Sequence, residues 1–139
     1  MLTIIGLLYS CQKGLFDKSY SYDPNRIYEV GELIKDPPFE YKVNEASITK
    51  RDHKSKYLTI NVYLINYDRD GRTFEPTMFI LKDSDNNTYR PYSTDKVTVT
   101  LGHGQSITGG IKFLVPENTQ KLRLEINTQG HINKIDLKL

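Results

Sequence analysis

Residues 58–66 read Leu-Thr-Ile-Asn-Val-Tyr-Leu-Ile-Asn, the clearest alternation of apolar and polar side chains in the chain. The even-numbered positions carry only large aliphatic side chains, namely Leu58, Ile60, Val62 and Leu64. Successive side chains of a β-strand point to opposite faces, so these four would share one face. The segment predicts a strand with one buried face and one partly exposed face.

The same period of two recurs through residues 27–139. The apolar sets are Phe39, Tyr41 and Val43; Val97, Val99 and Leu101; Ile111, Phe113 and Val115; Leu122, Leu124 and Ile126; and Ile135, Leu137 and Leu139. Met78 to Leu81 predicts a further short strand, whereas helical periodicity is conceivable only near Tyr28 to Ile34. We expect an all-β fold, an immunoglobulin-like two-sheet antiparallel sandwich of seven to nine strands, with a barrel as the alternative.

Turn-forming residues separate these runs. Hairpin-type turns are predicted at Asp70-Gly71 and at Asp85-Asn86-Asn87, and Asp36-Pro37-Pro38 should break the chain before Phe39. Gly102 to Gly104 indicates another turn, and Gly109-Gly110 a close approach of the backbone. The apolar positions change parity after Val43, which predicts a β-bulge near Asn44-Glu45.

The amino-acid composition limits the classes of protein to which this chain can belong. The 139 residues include 19 basic and 17 acidic side chains, for a net charge of +2, which does not indicate nucleic-acid binding. Charged residues make up 26% and hydrophobic residues 37%, as in a globular domain. A single cysteine excludes an intramolecular disulfide and any multi-cysteine zinc site.

That cysteine follows a short apolar run. Leu2 to Tyr9 is too short to cross a bilayer but matches the apolar core of a signal peptide. Leu8-Tyr9-Ser10-Cys11 resembles a bacterial lipobox, which implies diacylglycerol or palmitate on Cys11 and attachment to the extracytoplasmic face of the cell membrane. The alternative is a buried first strand with an incidental cysteine.

Three segments are therefore predicted. Residues 1–11 form a lipoprotein signal peptide that ends at the lipidated cysteine. Residues 12–26 form a flexible tether, because polar and turn-forming residues dominate there. Residues 27–139 form the immunoglobulin-like domain, onto which Tyr22 and other tether aromatics could partly dock.

The domain contains several short sequence motifs in a specific order. They are Tyr28-Glu29-Val30-Gly31-Glu32, the strand that ends in Asn66, the Asp83 turn that leads to Tyr89-Arg90-Pro91, and Gly104 and Gly109 ahead of Phe113-Leu114-Val115-Pro116. This order resembles the telokin-like, immunoglobulin-like domains of secreted and lipid-anchored bacterial proteins, mostly of unknown function. The mycobacterial immunoprotective extracellular antigen is similar in architecture. The resemblance implies an exported, non-catalytic β-sandwich and assigns no catalytic residue.

Asp83, Asp85 and Asn87 are the weak candidates for a metal site. Their alternation resembles the start of an EF-hand loop, which is a calcium site. Such a loop needs Gly at its sixth position and Glu at its twelfth, where this chain has Thr88 and Thr94. A looser calcium site is one alternative, and a polar hairpin turn is the other and favoured one.

Two sets of residues are candidates for contact with a partner. The basic cluster comprises Lys50, Arg51, Lys54 and Lys56, and would contact an anionic partner unless it is only a solvated loop. The tyrosines Tyr57, Tyr63, Tyr89 and Tyr92 would form an aromatic recognition surface unless their rings pack across strand pairs.

The sequence therefore predicts a bacterial surface lipoprotein that works by binding. We expect its domain to be a non-catalytic protein-binding or adhesion module, with another envelope protein as partner, membrane contact through the lipid on Cys11, no cofactor and no nucleic acid. The alternative is a secreted carrier module that binds a ligand or calcium.

Overall fold

The computed structural model describes residues 22–94, 97–128 and 130–139. Within them the chain forms short and long β-strands and one 3-10 turn at Pro76–Met78. In chain order the strands are β1 Ile27–Glu29, β2 Leu33–Asp36, β3 Phe39–Arg51, β4 Ser55–Asn66, β5 Arg72–Thr73, β6 Phe79–Lys82, β7 Thr88–Tyr89, β8 Thr100–Leu101, β9 Ser106–Pro116, β10 Arg123–Thr128 and β11 His131–Asp136.

Two main sheets face one another across the core. The five-stranded sheet has the order β1-β11-β10-β6-β7, and the four-stranded sheet has the order β2-β3-β4-β9. The small strands β5 and β8 pair separately. All pairings are antiparallel except that of β1 with β11. The predicted all-β, immunoglobulin-like sandwich is confirmed.

Strand β4 lies inside the four-stranded sheet, between β3 and β9. Its inward side chains are those predicted from the alternation, Leu58, Ile60, Val62 and Leu64, and each is 0% exposed. A fully buried side chain of this kind contributes about 2 kcal/mol of hydrophobic stabilisation. The outward side chains of β4 are only partly covered, so the two faces differ as the sequence predicted.

The bulge and several turns are also confirmed. The register of β3 against β4 shifts between Val43 and Glu45, which moves Ala46 and Ile48 back towards the core. Strands β6 and β7 form the predicted hairpin, with Asn86 in the left-handed conformation at φ 64°. A Cβ at Gly110 would lie 3.3 Å from Thr59 Cγ2, so the predicted close approach is present as well.

A helix that the sequence left open does not form, and three expectations about local structure are wrong. Residues 28–34 form the end of β1, a turn and the start of β2 rather than a helix. In the run 97–101 only Thr100–Leu101 forms a strand. Val97 is buried, but it reaches the core from a turn rather than from a strand. Asp70-Gly71 does not close a hairpin, since β5 pairs with β8 and not with β4. The described residues contain eleven strands rather than the predicted seven to nine. A strand of only two residues is too short to show alternation, and three strands are of this length, β5, β7 and β8.

The two ends of the sandwich differ in what they carry. At one end, here called the Asp36 end, lie Asp36, Asn66, Thr128 and His131. At the other, here called the hairpin end, lie the β3–β4 turn, the β6–β7 turn and the connection of β9 to β10. Hydrogen bonds from Ser84 N to Gln120 O and from Lys56 Nζ to Thr119 O join elements at the hairpin end.

A buried carboxylate connects the two sheets at the Asp36 end. Asp36 Oδ2, at the end of β2, accepts hydrogen bonds from the Tyr41 hydroxyl at 2.9 Å, from Thr128 Oγ1 at 2.8 Å and from Asn133 Nδ2 at 3.2 Å. His131 Nδ1 lies 3.1 Å from Asp36 Oδ1. Tyr41 belongs to the four-stranded sheet and Thr128, His131 and Asn133 to the other, so one carboxylate crosslinks both layers.

Residues 22–26, which the sequence assigns to the tether, lie against the five-stranded sheet. The Tyr22 ring stacks on the His131 imidazole with centroids 4.3 Å apart and planes 3° apart. The Tyr22 hydroxyl donates to Ile132 O at 2.7 Å and accepts from Ile132 N at 3.0 Å. Lys134 Nζ donates to Pro24 O at 2.7 Å. The chain therefore enters the domain at the Asp36 end.

The predicted signal peptide, Cys11 and the tether up to residue 21 lie outside the described residues. Across the part that the structure describes, no helix is both long and apolar enough to span a membrane.

We predict that Asp36→Ala lowers the free energy of unfolding by about 3 kcal/mol, because it removes the acceptor that buried donors on Tyr41, Thr128 and Asn133 share. Urea denaturation measures the loss. Asp70→Ala is the matched control, since Asp70 is exposed, and it should change stability by less than about 0.5 kcal/mol. Equal losses in the two variants would contradict a special role for Asp36.

We also predict that stability falls as pH rises above about 10. Burial, aided by the Asp36 carboxylate, raises the pKa of Tyr41 well above its usual value. The unfolded chain then loses the Tyr41 proton at a lower pH than the folded protein, so rising pH favours unfolding. Tyr41→Phe should flatten the decline in urea midpoint with pH, even though it also weakens the fold at neutral pH. An unchanged slope in that variant would show that Tyr41 does not cause the decline.

Candidate functional site

Three of the predicted partner-binding residues meet on the outer face of the four-stranded sheet. The rings of Tyr57 and Tyr92 pack edge to face, with centroids 6.2 Å apart and planes at 85°. Lys50 Nζ lies 5.4 Å from the centroid of the Tyr57 ring, within the range of a cation–π contact. Tyr57 is therefore held between a cation and a second aromatic ring.

Strand register brings these residues together. Tyr57 of β4 pairs with Lys50 of β3 on one side and with Leu114 of β9 on the other, so all three point outward in one row. Tyr92 reaches the row from a loop, because Tyr92 N donates to Lys112 O at 2.9 Å and Lys112 N donates to Ser93 O at 2.9 Å. We call Lys50, Tyr57, Tyr92 and Leu114 the aromatic patch.

The aromatic patch presents apolar area to solvent. Tyr92 is 56% exposed and Leu114 is 43% exposed, which makes them two of the few exposed large hydrophobic residues in the described chain. Sequence reasoning missed Leu114. The available signal was its parity, because Ile111, Phe113 and Val115 face the core and Leu114 therefore must face outward.

The charge around the aromatic patch is positive. Lys50 lies beside Tyr57, and the exposed Lys112 is next to Leu114 on the same face of β9. Arg51, close to Lys50 in sequence, is paired with Glu117 and so adds little net charge. A partner with acidic side chains would complement this rim.

The other two predicted tyrosines lie elsewhere. Tyr63 also faces outward from β4, but six residues from Tyr57, a separation of about 20 Å along the strand. Tyr89 belongs to the five-stranded sheet, where its hydroxyl donates to Asp83 Oδ2 at 2.8 Å. Of the four tyrosines predicted to form one surface, only Tyr57 and Tyr92 are in contact. Tyr63 lies too far along the same strand, and Tyr89 belongs to the other sheet.

The basic cluster is likewise divided. Lys50 joins the aromatic patch, and Lys54 lies in the exposed β3–β4 turn, which Asp52 Oδ1 stabilises by accepting from Lys54 N and Ser55 N. Those two backbone bonds lower the pKa of Asp52. Lys56 is only 5% exposed, and its ammonium donates to Thr119 O at 2.7 Å. Lys56 is therefore not part of a partner-facing basic surface, because β4 turns its side chain inward.

Asp83 organises the β6–β7 turn. Its carboxylate accepts from Asp85 N at 2.9 Å, Asn87 N at 3.0 Å, Asn87 Nδ2 at 3.0 Å and the Tyr89 hydroxyl at 2.8 Å. Burial acts to raise the pKa of Asp83, but these hydrogen bonds outweigh it and hold the pKa below its usual value. Burial together with the Asp83 carboxylate raises the pKa of Tyr89 to about 12.

This turn has the hydrogen bonding of a polar hairpin, with both Asp83 oxygens already used by donors. No group of three or more His, Cys, Asp and Glu side chains converges on a metal-sized site among the described residues. The calcium expectation for Asp83, Asp85 and Asn87 therefore gains no support from the geometry of the turn.

The sequence matches a family profile over most of its length. The profile describes a domain of unknown function, DUF4352, and it matches residues 28–134. A comparison with curated protein sequences finds no match.

Solved bacterial structures share the sandwich. The yjhA protein of Bacillus subtilis superposes with a TM-score of 0.63 at 18% identity, over 80% of this chain and 99% of that one. MPT63, a secreted protein of Mycobacterium tuberculosis, gives a TM-score of 0.60 at 14% identity, over 81% of this chain and 98% of that one. The ycdA protein of Bacillus subtilis, described as a candidate lipoprotein, gives a TM-score of 0.56 at 16% identity, over 86% of this chain and 40% of that one.

At such identities the superpositions establish similarity of fold. Together with the profile match, they confirm the resemblance to bacterial immunoglobulin-like domains that was inferred from the sequence.

Proposed function

The chain is a member of the DUF4352 family of domains of unknown function, and from that premise we propose that it is a bacterial cell-envelope lipoprotein whose sandwich binds another envelope protein. The domain itself carries out no catalysis in this proposal. The lipid on Cys11 holds it at the extracytoplasmic face of the membrane, and the aromatic patch contacts the partner.

The observation that carries this proposal is the exposure of the aromatic patch. Tyr57 and Leu114 stand on paired strands and Tyr92 on a loop hydrogen-bonded to Lys112, so little conformational entropy is lost when a partner covers their apolar area. Tyrosine is enriched at binding hot spots because its ring buries a large area at the cost of few rotatable bonds. Lys50 within the aromatic patch and Lys112 beside it would steer an acidic partner towards the rings.

The direction from which the chain enters the domain supports the same arrangement. Tyr22 is held on His131 and Ile132 at the Asp36 end. Tyr57 lies near the start of β4, nine residues before Asn66 at the Asp36 end, which is about 30 Å along the strand. A lipid joined to this segment through Cys11 would leave the aromatic patch at the far end of the domain, where a partner could reach it.

Anchoring is supported by sequence and by analogy. Leu8-Tyr9-Ser10-Cys11 has the residue order of a lipobox, with the chain's single cysteine at its end. Among the structural relatives, ycdA is described as a candidate lipoprotein and MPT63 as a secreted protein. Two acyl chains would suffice for stable membrane attachment.

We predict that Cys11 is required for lipid attachment. In a bacterial host that makes lipoproteins, the wild-type chain should incorporate labelled fatty acid and sediment with membranes, whereas Cys11→Ala should do neither. Cell fractionation with acyl labelling measures both. Equal recovery of both forms in the cytosol without label would refute the anchoring half of the proposal.

We predict that the aromatic patch is the partner contact. A photo-crosslinking amino acid placed at position 92 should yield a defined adduct with one envelope protein in cells, identified by mass spectrometry. Tyr57→Ala in the same chain should weaken that interaction about tenfold or more, because it removes the central ring of the patch.

The control crosslinker replaces Leu33, which is 44% exposed on the edge strand β2 of the same sheet. It should give no such adduct. If the adduct forms from position 33 instead, or if Tyr57→Ala leaves it unchanged, the aromatic patch is not the partner contact. This outcome is independent of whether Cys11 carries lipid.

A further inference from the structure

A polar cleft lies at the hairpin end, apart from the aromatic patch. It has a volume of about 300 Å³ and is walled by the β6–β7 turn and by the connection of β9 to β10. Small-molecule sites begin at roughly this size. Most such sites are lined by apolar side chains, whereas here Pro116 is the one side chain without a polar atom among the lining residues that the structure describes.

The cleft offers both donors and acceptors that its own walls do not use. Four exposed residues that line the cleft have side chains that form no hydrogen bond within the described part of the protein: Ser84, Asp85, Asn118 and Gln120. Ser, Asn and Gln side chains each donate and accept, and the Asp85 carboxylate accepts. Hydroxyl groups of a ligand, which also donate and accept, match this set.

The walls of the cleft are fixed before any ligand arrives. Ser84 N donates to Gln120 O at 3.2 Å and joins the two walls directly. Thr119 Oγ1 donates to Pro116 O at 2.8 Å, and the buried ammonium of Lys56 donates to Thr119 O at 2.7 Å. A preorganised site loses less entropy on binding than a mobile one. The hydrogen bond to Thr119 also explains why Lys56 is buried, because its ammonium holds one wall of the cleft in place.

An aromatic ring with a fixed hydroxyl completes the lining. Tyr89 borders the cleft, and its hydroxyl is held by Asp83 Oδ2 at 2.8 Å. A ring in a fixed position can pack against the C–H face of a sugar ring while the amides bind the sugar hydroxyls. Because Asp83 is already occupied by donors from its own turn, the free polar groups are the neutral amides and hydroxyls and the single carboxylate of Asp85.

The charge of the lining excludes one class of ligand. No Lys, Arg or His side chain lines the cleft among the described residues, while Asp83 and Asp85 do. An anionic ligand such as a phosphate would meet carboxylates without a compensating cation. A neutral ligand rich in hydroxyl groups meets no such penalty.

We propose that this cleft binds a neutral, polyhydroxylated ligand, namely a saccharide unit such as those of cell-envelope glycans. The site is separate from the aromatic patch and does not depend on the proposed protein partner. Binding would give the domain a second point of attachment in the envelope, at the end opposite to that where Tyr22 lies.

Nuclear magnetic resonance titration of the full chain carrying Cys11→Ala tests this proposal. The probes are chitotriose and maltotriose, with inorganic phosphate and calcium chloride titrated separately. We expect at least one trisaccharide to shift the amide resonances of Ser84, Asn118 and Gln120 at millimolar concentrations, with those of Tyr57 and Leu114 unchanged. Asn118→Ala and Gln120→Ala should each weaken binding about tenfold, equivalent to one or two lost hydrogen bonds.

Asn127→Ala is the matched control, because Asn127 is an exposed asparagine on the outer face of β10, away from the cleft. It should leave saccharide affinity unchanged, and thermal unfolding should show all three variants to be folded. The proposal is overturned if neither trisaccharide shifts the cleft resonances, if phosphate or calcium alone shifts them, or if Asn127→Ala weakens binding as much as Asn118→Ala. Failure here would leave the aromatic patch and its crosslinking test untouched.

Discussion

The carboxylate of Asp36 is the contact on which the arrangement of the two sheets depends. Its side chain is 1% exposed and bonds to Tyr41 of one sheet and to Thr128 and Asn133 of the other. Apolar packing between sheets is not directional, whereas hydrogen bonds to a buried carboxylate are. The cluster therefore favours one relative placement of the layers, and any other would leave a buried charge or its donors without partners.

The same cluster determines how the domain joins the preceding chain. His131 contacts Asp36 on one side and the ring of Tyr22 on the other, so residues 22–26 are held against the sheet that contains Thr128 and Asn133. The hairpin end is left with the exposed features, which are the Tyr57 and Tyr92 rings and the polar cleft beside Gln120. In the proposed function, this separation would place attachment at one end of the sandwich and recognition at the other.

The candidate site was predictable in part. Tyr57 could be selected from its outward parity on a strand, Tyr92 from its aromatic ring and Lys50 from its place in a run of basic residues. Lys56 was misjudged, because its place among other basic residues was given more weight than its parity, which it shares with Leu58 and the other inward side chains of β4 and which directs it towards Thr119. The grouping of Tyr57 with Tyr92 also required the loop hydrogen bonds to Lys112, which no local pattern encodes.

Local alternation in the sequence determined the long strands β3, β4, β9 and β10, their inward faces, and the bulge after Val43, because side-chain direction in a strand depends only on position along the chain. For β11 it marked only Ile135, since Leu137 and Leu139 lie beyond the end of that strand at Asp136. Tertiary structure alone decided which strands pair, where the two-residue strands form, and how Asp36 meets Asn133. It also decided that the turns after β6 and β9 would enclose a cleft. The physical reason is that these features arise from contacts between residues far apart in sequence, whose energies depend on the completed burial of both sheets.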